Sequence, residues 1–373
     1  MSAQSIQKAP ITGIDVDAYV VPTDAPESDG TLAWDSTTMV VVRAHAANVT
    51  GIGYTYAGLA TATVIRQKLS SLVIDDNALT PAYSWQKMQN GVRNLGKPGI
   101  AAEAISAVDI ALWDLYARLL ELPLSTAIGA IHESTPIYGS GGFTSYDTGT
   151  LTTQLCDWVN AGIPRVKMKV GRQPAADEER VHAVRETIGY TPELYVDANG
   201  AYSRKQALLW AQIFAQYDVR WLEEPVSSDD LEGLHQLRDT GPAGMDITAG
   251  EYGYHLPYFH HMLAAGAVDC LQADVTRCLG ISGIQRVAAL CDARSMDLSL
   301  HCAPQISAHA GTSIWHLRHL EYFHDHVRIE RLAFDGILEP ESPGVLRPDR
   351  TRPGHGLSIK DADMEQYKIR GTT

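Results

Sequence analysis

RVKMKVGRQPAADEERVHAVRETIGYTPELYVDANGAYSRKQALLWAQIFAQYDVRWLEEP, from Arg165 to Pro225, alternates between two kinds of text. RVKMKV, ELYVDA and VRWLEE are short apolar runs. Between them, ADEERVHAVRETIG and SRKQALLWAQIFAQY read as helices. Strands and helices in strict alternation imply a parallel sheet with right-handed crossovers. The rhythm continues outward on both sides, with TPIYG before this stretch and MDITAGE, DCLQAD and DLSLH after it. Seven or eight such units in about 200 residues fit a closed βα barrel better than an open sheet. The open doubly wound alternative calls for a Gly-rich phosphate turn, and no G-x-G-x-x-G is present.

The residues before the barrel read as mixed α and β. Strand-like runs begin near Ile11 and cover Thr37 to Ala46, with PTDAPESDGTLAWD between them as a polar loop. GIGYTYAGLA, Gly51 to Ala60, reads as a turn rich in glycine and tyrosine. From about Ile100 to Leu120, Ile105, Val108, Leu112, Leu115 and Leu119 recur at spacings of three and four and form one apolar helical face. Leu122-Pro123 ends that helix. From about Val327 the text is loop-rich and is expected to return to the N-terminal region.

A length of 373 residues suggests two domains, and 45% hydrophobic with 20% charged residues is ordinary for a soluble globular protein. Thirty basic and 44 acidic side chains leave a formal charge of -14, which argues against nucleic acid or an anionic membrane as partner. An anionic small molecule remains compatible, because a bound metal and a few lysines reverse the local field. Cys156, Cys270, Cys278, Cys291 and Cys302 form no C-x-x-C pair and read as reduced thiols in a cytoplasmic protein. The opening MSAQSIQKAP lacks the apolar run of a signal peptide, and no stretch approaches a membrane span.

In a βα barrel the loops after the strands form the active face. The second strand presents Lys167 and Lys169 there, the third Asp197 and Asn199, the fourth Glu223 and Glu224. Glu251, Asp274 and His301 end the fifth, sixth and seventh. One such charge could be merely solvated; six consecutive strands delivering ionisable groups to one rim need a shared reason. Asp197, Glu223 and Glu251 come from adjacent strands and converge. Three converging carboxylates call for a hard divalent cation, and oxygen-only ligands favour Mg2+, with Mn2+ as a substitute, over zinc. Lys167 and Lys169 alternate by two and share a face. Beside each other and a metal ion they should have depressed pKa values, which suits Lys169 to act as a base. Asp274 can fix the tautomer of His301 and stabilise its imidazolium. His316 and His319, three apart and read as helical, have no third ligand at zinc spacing.

At these residues the chain resembles the enolase superfamily, and within it the mandelate racemase subgroup. The matching text is KMKVG, VDANGAY, WLEEP, TAGE, QADVTRCLGISG and LHCAPQISAH, with AISAVDIALWDL before the barrel. The resemblance implies an α/β fold with a modified TIM barrel, (β/α)7β, over residues 126–326. An α+β capping domain over 1–125 would be completed by 327–373. It implies magnesium on Asp197, Glu223 and Glu251, and Lys169 and His301, paired with Asp274, as bases on opposite faces of a substrate carbon. Lys167 would help bind the substrate carboxylate and Glu321 would hydrogen-bond to one of its oxygens. Two N-terminal loops, about Thr23 to Asp35 and Gly51 to Ala60, would set specificity, with Trp34, Tyr54, Tyr56 and Asn199 as candidate substrate contacts. Lactonising and dipeptide-epimerising branches carry a lysine on the sixth strand, where this chain has Asp274. The local text Cys302-Ala303-Pro304-Gln305 translates into no particular substrate.

The expected activity is magnesium-dependent removal of the proton alpha to a carboxylate, giving an enediolate that needs its second charge neutralised. The pairing of a lysine or histidine base with a metal-stabilised enediolate is implied by the resemblance, being the established chemistry of enolase-superfamily sites. Protonation of a leaving β-hydroxyl by His301 makes the enzyme a sugar-acid dehydratase (a hydro-lyase forming a 2-keto-3-deoxy acid), the favoured reading. Reprotonation of the α-carbon makes it a racemase or epimerase of a 2-hydroxy acid. A sugar-acid lactone cycloisomerase shares every motif, and a catalytically silent metal-binding homologue is the non-enzyme alternative. The expected partner is a small carboxylate substrate, in a homo-oligomer, with no nucleic acid or membrane.

Overall fold

The computed structural model describes residues 8–370. Most of the N-terminal segment read for a signal peptide therefore lies outside the described residues. Among the described residues no helix is long and apolar enough to cross a membrane.

Three antiparallel strands open the chain: β1 (Gly13–Ser28), β2 (Ala33–Ala46) and β3 (Val49–Tyr56). The sequence expectation needs correcting twice here. The polar stretch after Pro22 is an extended hairpin arm. Pairing breaks between Pro22 and Glu27 and then resumes as Glu27↔Trp34 and Ser28↔Ala33. The Asp29 carboxylate closes the tip by accepting from the backbone N–H groups of Thr31 (2.6 Å) and Leu32 (2.7 Å), an Asx-type turn. Second, GIGYTY is strand. The turn lies earlier, at Ala47-Asn48, where φ is 48° and 62°, as a two-residue hairpin requires. Gly51 and Gly53 serve close packing: a Cβ on either would lie 2.3 or 2.2 Å from the carbonyl oxygens of Ala111 and Ala107. The sheet thus rests directly on the Ile100–Leu119 helix, whose five expected apolar positions are all buried.

The barrel follows. Its strands are β4 (Thr135–Gly141), β5 (Arg165–Lys169), β6 (Glu193–Asp197), β7 (Val219–Glu223), β8 (Asp246–Ala249), β9 (Cys270–Ala273), β10 (Asp297–Leu300) and β11 (Leu317–Phe323). They are hydrogen-bonded in sequence order, and parallel pairing of β11 with β4 closes the ring. An antiparallel pair, Val345–Leu346, adds to β4 at Thr135 and Pro136. His319 lies on β11, not on a helix. It is packed edge-on to Tyr138 (4.7 Å between ring centres), with Ser299 Oγ 2.9 Å from its Nδ1.

The stretch after β11 is not yet loop: His324–Ala333 is a helix, so a boundary at 326/327 cuts through it. Its buried positions include Asp325, His326 and Glu330, which hid its periodicity. Beyond it the chain reaches back to the first sheet. Lys368 Nζ lies 2.7 Å from Asp17, Ile369 N–H donates to Ala18 O (2.9 Å) and His355 N–H donates to Asp114 (2.8 Å). The N-terminal region and barrel are also joined through Asp109, whose carboxylate accepts from the backbone N–H (2.8 Å) and hydroxyl (2.7 Å) of Ser282. Burial pushes Asp109 up to about 7 even against those donors.

Candidate active site

Seven of the eight barrel strands, β5 to β11, end by handing an ionisable side chain to one rim, and register brings neighbours level. Lys169 pairs with Asp197 across β5 and β6, and Asp197 with Glu223 across β6 and β7. The backbone turns left-handed beside three of these residues, Asp197, Glu223 and His301: Asn199 (φ 46°), Glu224 (39°), Cys302 (51°) and Ala303 (44°). Non-glycine residues there cost on the order of 1–3 kcal/mol each and gather at functional sites.

Asp197, Glu223 and Glu251 are buried, and each offers an oxygen within 4.8 Å of the others'. Trp221 Nε1 donates to Glu223 Oε2 (2.8 Å) and Asn199 N–H to Asp197 Oδ1 (2.9 Å), fixing both carboxylates. Burial and the Asp197 charge push Glu223 up to about 8, the repulsion a cation would relieve. Buried Glu251 Oε2 faces His301 Nε2 at 3.2 Å. Three converging buried carboxylates fit a hard divalent ion.

Lys167 Nζ is fully buried among Glu223 Oε1 (2.5 Å), Glu321 Oε1 (2.8 Å) and Asp197 Oδ2 (3.4 Å). Lys169 Nζ donates to Asp197 Oδ2 at 2.5 Å. The protein groups alone do not depress the two lysines; the depression expected beside a metal ion is a property of the loaded site. Burial lowers both, but Glu223 and Glu321 around Lys167, and Asp197 beside Lys169, outweigh it and hold both above the ordinary value.

On the other side of the mouth, His301 Nδ1 lies 2.7 Å from Asp274 Oδ2. Asp274 Oδ1 accepts from the N–H (2.6 Å) and hydroxyl (2.7 Å) of Thr276. With Asp274 holding Nδ1–H, the working nitrogen is Nε2, which faces Glu251 Oε2 (3.2 Å), Cys302 Sγ (3.3 Å) and Glu321 Oε2 (3.4 Å). Burial opposes its charge, yet Cys302, Glu251, Glu321 and Asp274 together hold His301 well above its usual pKa. Glu321 accepts from Ser140 Oγ (2.6 Å). Burial raises its pKa, but Lys167, His301 and Lys169 more than offset that and keep it ionised.

These groups open onto a cavity of about 370 Å³ at the barrel mouth, lined by Lys169, Glu251, His301 and Glu321 and roofed by the hairpin arm. The arm sits hard on the barrel: a Cβ on Gly30 would meet the carbonyl oxygens of Ala198 (2.3 Å) and Val170 (2.8 Å). Of the proposed contacts, Trp34, Tyr56 and Asn199 line the cavity. Trp34 donates to Glu27 (2.7 Å), Tyr56 stacks on His326 (3.4 Å), and Asn199 Oδ1 has no partner. Tyr54 does not belong with them. It lies two residues deeper on β3, is fully buried and donates to Glu330 (2.5 Å). Sequence reasoning missed Ser140 and Arg277 as site residues, and it singled out Cys302 without giving it a role. Ser140 extends the first barrel strand beyond the run TPIYG. Arg277 bridges Asp274 (3.5 Å) and Glu251 (3.6 Å) from the loop after β9.

A family model for the mandelate racemase/muconate lactonizing enzyme N-terminal domain matches residues 15–129, and one for an enolase C-terminal domain-like unit matches 150–363. A mandelate racemase/muconate lactonizing enzyme-like protein from Rubrobacter xylanophilus is 55% identical, covering 96% of this chain and all of that one, with TM-score 0.95. A racemase from Streptomyces coelicolor, solved with bound magnesium, is 30% identical over 96% of this chain and all of its own (TM-score 0.90). A 3,6-anhydro-alpha-L-galactonate cycloisomerase from Streptomyces coelicolor is 32% identical over 94% of this chain and 97% of its own length. Further relatives are acid sugar dehydratases, another cycloisomerase and a dipeptide epimerase.

Proposed function

Since the chain belongs to the mandelate racemase/muconate lactonizing enzyme family of the enolase superfamily, whose members are magnesium-dependent enzymes, we propose that it dehydrates a sugar acid to a 2-keto-3-deoxy acid. The observation that carries this reading is the placement of Lys169 and the Asp274–His301 pair in one polar cavity, on strands either side of the carboxylate triad.

Lys169 Nζ takes the proton from the carbon beside the substrate carboxylate. A divalent cation on Asp197, Glu223 and Glu251 would supply positive charge where that carboxylate gains electrons, and would compete for the Asp197 oxygen that keeps Lys169 charged. Lys167, pinned by three carboxylates, adds a fixed positive charge on the same side. His301 donates its Nε2 proton to the β-hydroxyl as the C–O bond breaks; water leaves and the enol product becomes the keto acid. Ser36, Thr37 and Thr38 line the cavity beside Asp29 and Asn199, hydroxyl, carboxylate and amide groups suited to a polyhydroxylated chain. The cation is Mg2+, with Mn2+ able to replace it, and the enzyme is a cytoplasmic homo-oligomer; light scattering tests the assembly.

A second reading is cycloisomerisation, favoured by the Streptomyces coelicolor cycloisomerase that matches nearly the whole chain. His301 would then protonate a ring oxygen, and no water is lost. A panel of aldonic and aldaric acids, their lactones and anhydro forms separates the two. A keto acid one water lighter than its substrate supports dehydration, and one of unchanged mass supports cycloisomerisation. Exchange or inversion of the α-hydrogen with no keto acid would overturn both in favour of a racemase or epimerase.

A further inference from the structure

Cys302 is absorbed by none of this chemistry, and its placement is specific. Its Sγ donates to Glu321 Oε2 at 3.2 Å and lies 3.3 Å from His301 Nε2, while Nε2 and Glu321 Oε2 are 3.4 Å apart. Sulfur, nitrogen and oxygen thus form a nearly equilateral triangle, and all three residues face the cavity. Tetrahedral zinc with bonds of about 2.0–2.3 Å separates its ligands by about 3.3–3.7 Å. The triangle meets that within a few tenths of an ångström.

We propose that His301 Nε2, Cys302 Sγ and Glu321 Oε2 form a second metal site, selective for zinc-type cations, whose occupation silences the enzyme. The donor set differs in kind from the adjoining triad, whose Glu251 Oε2 lies 3.2 Å from Nε2: one thiol, one imidazole and one carboxylate suit Zn2+ or Co2+, whereas Mg2+ takes the all-oxygen set. The left-handed backbone at Cys302 (φ 51°) and Ala303 (φ 44°) is what turns the thiol back toward His301. Capture of the ion displaces both the thiol proton and the Nε2 proton to solvent and takes the Nε2 lone pair so freed. Zinc is therefore an inhibitor that competes with substrate, while magnesium in excess does not relieve it. The binding claim stands on the triangle alone; the inhibition rests on the role proposed above for His301.

The test uses the full-length protein in excess Mg2+, titrated with Co2+ and followed by absorption. The triad grouping itself holds no sulfur, Cys270, Cys278 and Cys291 are buried elsewhere, and Cys156 lies outside the cavity lining. A sulfur-to-cobalt charge-transfer band at one equivalent, absent in Cys302→Ala and in the volume-conserving Cys302→Ser, is the expected result. No band, or a band that persists in both folded variants, overturns the site. Zinc is then titrated against turnover, each variant compared with its own zinc-free rate. Losing one of three ligands should weaken inhibition at least about tenfold, the smallest effect of losing even an outer-shell partner. A band with no inhibition would overturn the inhibitory role and count against His301 as the acid, while leaving the metal site standing.

Discussion

Replacing Asp274 with asparagine separates the two halves of the proposed reaction. In the native site the carboxylate holds Nδ1–H of His301 at 2.7 Å, which directs the ring's second proton to Nε2. An asparagine keeps the shape and can still accept from Thr276, but it presents an amide N–H to Nδ1. The ring then becomes neutral with its one proton on Nε2, a far weaker acid than imidazolium. Two unit charges about 4 Å apart at an effective dielectric of ~20 interact by about 4 kcal/mol, or about three pKa units. Glu251 and Glu321 still face the ring, and Arg277 already offsets part of the Asp274 charge. The loss in keto-acid formation should therefore be about 10²- to 10³-fold. Lys169 keeps its own partner, Asp197, at 2.5 Å. The α-hydrogen should still exchange in heavy water at close to the native rate. The assay measures both rates on the same acid, keto acid by colorimetry and deuterium by mass spectrometry. A parallel fall in exchange and product would refute the division of labour, as would a product loss under tenfold.

Lys169→Ala should remove exchange and product together, by at least the 10²- to 10⁴-fold that a positioned base contributes, with deuterium uptake as the readout. In chelator-treated protein Glu223 sits at about 8, so binding Mg2+ at pH 7 should release about one proton, falling toward none above pH 9. Calorimetry in buffers of different ionisation enthalpy measures this, and no buffer dependence would contradict the crowding described for the triad. Burial pushes Glu330 up to about 8, against 4.5 in the unfolded chain, so the folded state holds a proton that the unfolded state releases. Its contribution is complete below about pH 4.5 and is lost as pH rises toward 8. Urea unfolding of the native protein should therefore weaken relative to Glu330→Gln across pH 5–8, by up to about 1.4 kcal/mol per pH unit; a constant difference would show that Glu330 is already ionised at pH 5.

Six of the eight barrel strands, β5 to β10, were readable because each is a short apolar run ended by an ionisable residue, two signals that reinforce each other; β4 ends without a charge, and β11 was not legible, its His319 falling at helical spacing from His316. The carboxylates and their lysine and histidine neighbours were readable for the same reason, since burial of a charge at the end of an apolar run demands partners. What escaped reading was governed by contacts distant in sequence. Gly51 and Gly53 resemble turn residues until the Ile100–Leu119 helix is seen lying against them. Glu27 and Ser28 look like loop text because their cross-strand partners, Trp34 and Ala33, lie beyond an Asx turn. The helix after β11 buries Asp325, His326 and Glu330 among Val327, Ile329 and Ala333, so polar residues interrupt its apolar stripe. Tyr54 and Tyr56 share a face of β3, and only the end of the strand reaches the cavity; depth along a strand has no sequence signal. The Cys302 triangle depends on two consecutive left-handed residues that no local pattern foretells.

The ammonium of Lys167, sealed among Glu223, Glu321 and Asp197, has a consequence for the life of the protein before it ever works. A fixed cation at the centre of the acidic cluster lets the barrel close on a ribosome's product with no metal on hand. Loading becomes a late and reversible event, and scarcity of magnesium should leave a store of folded, idle chains that wake when the ion returns, without new synthesis.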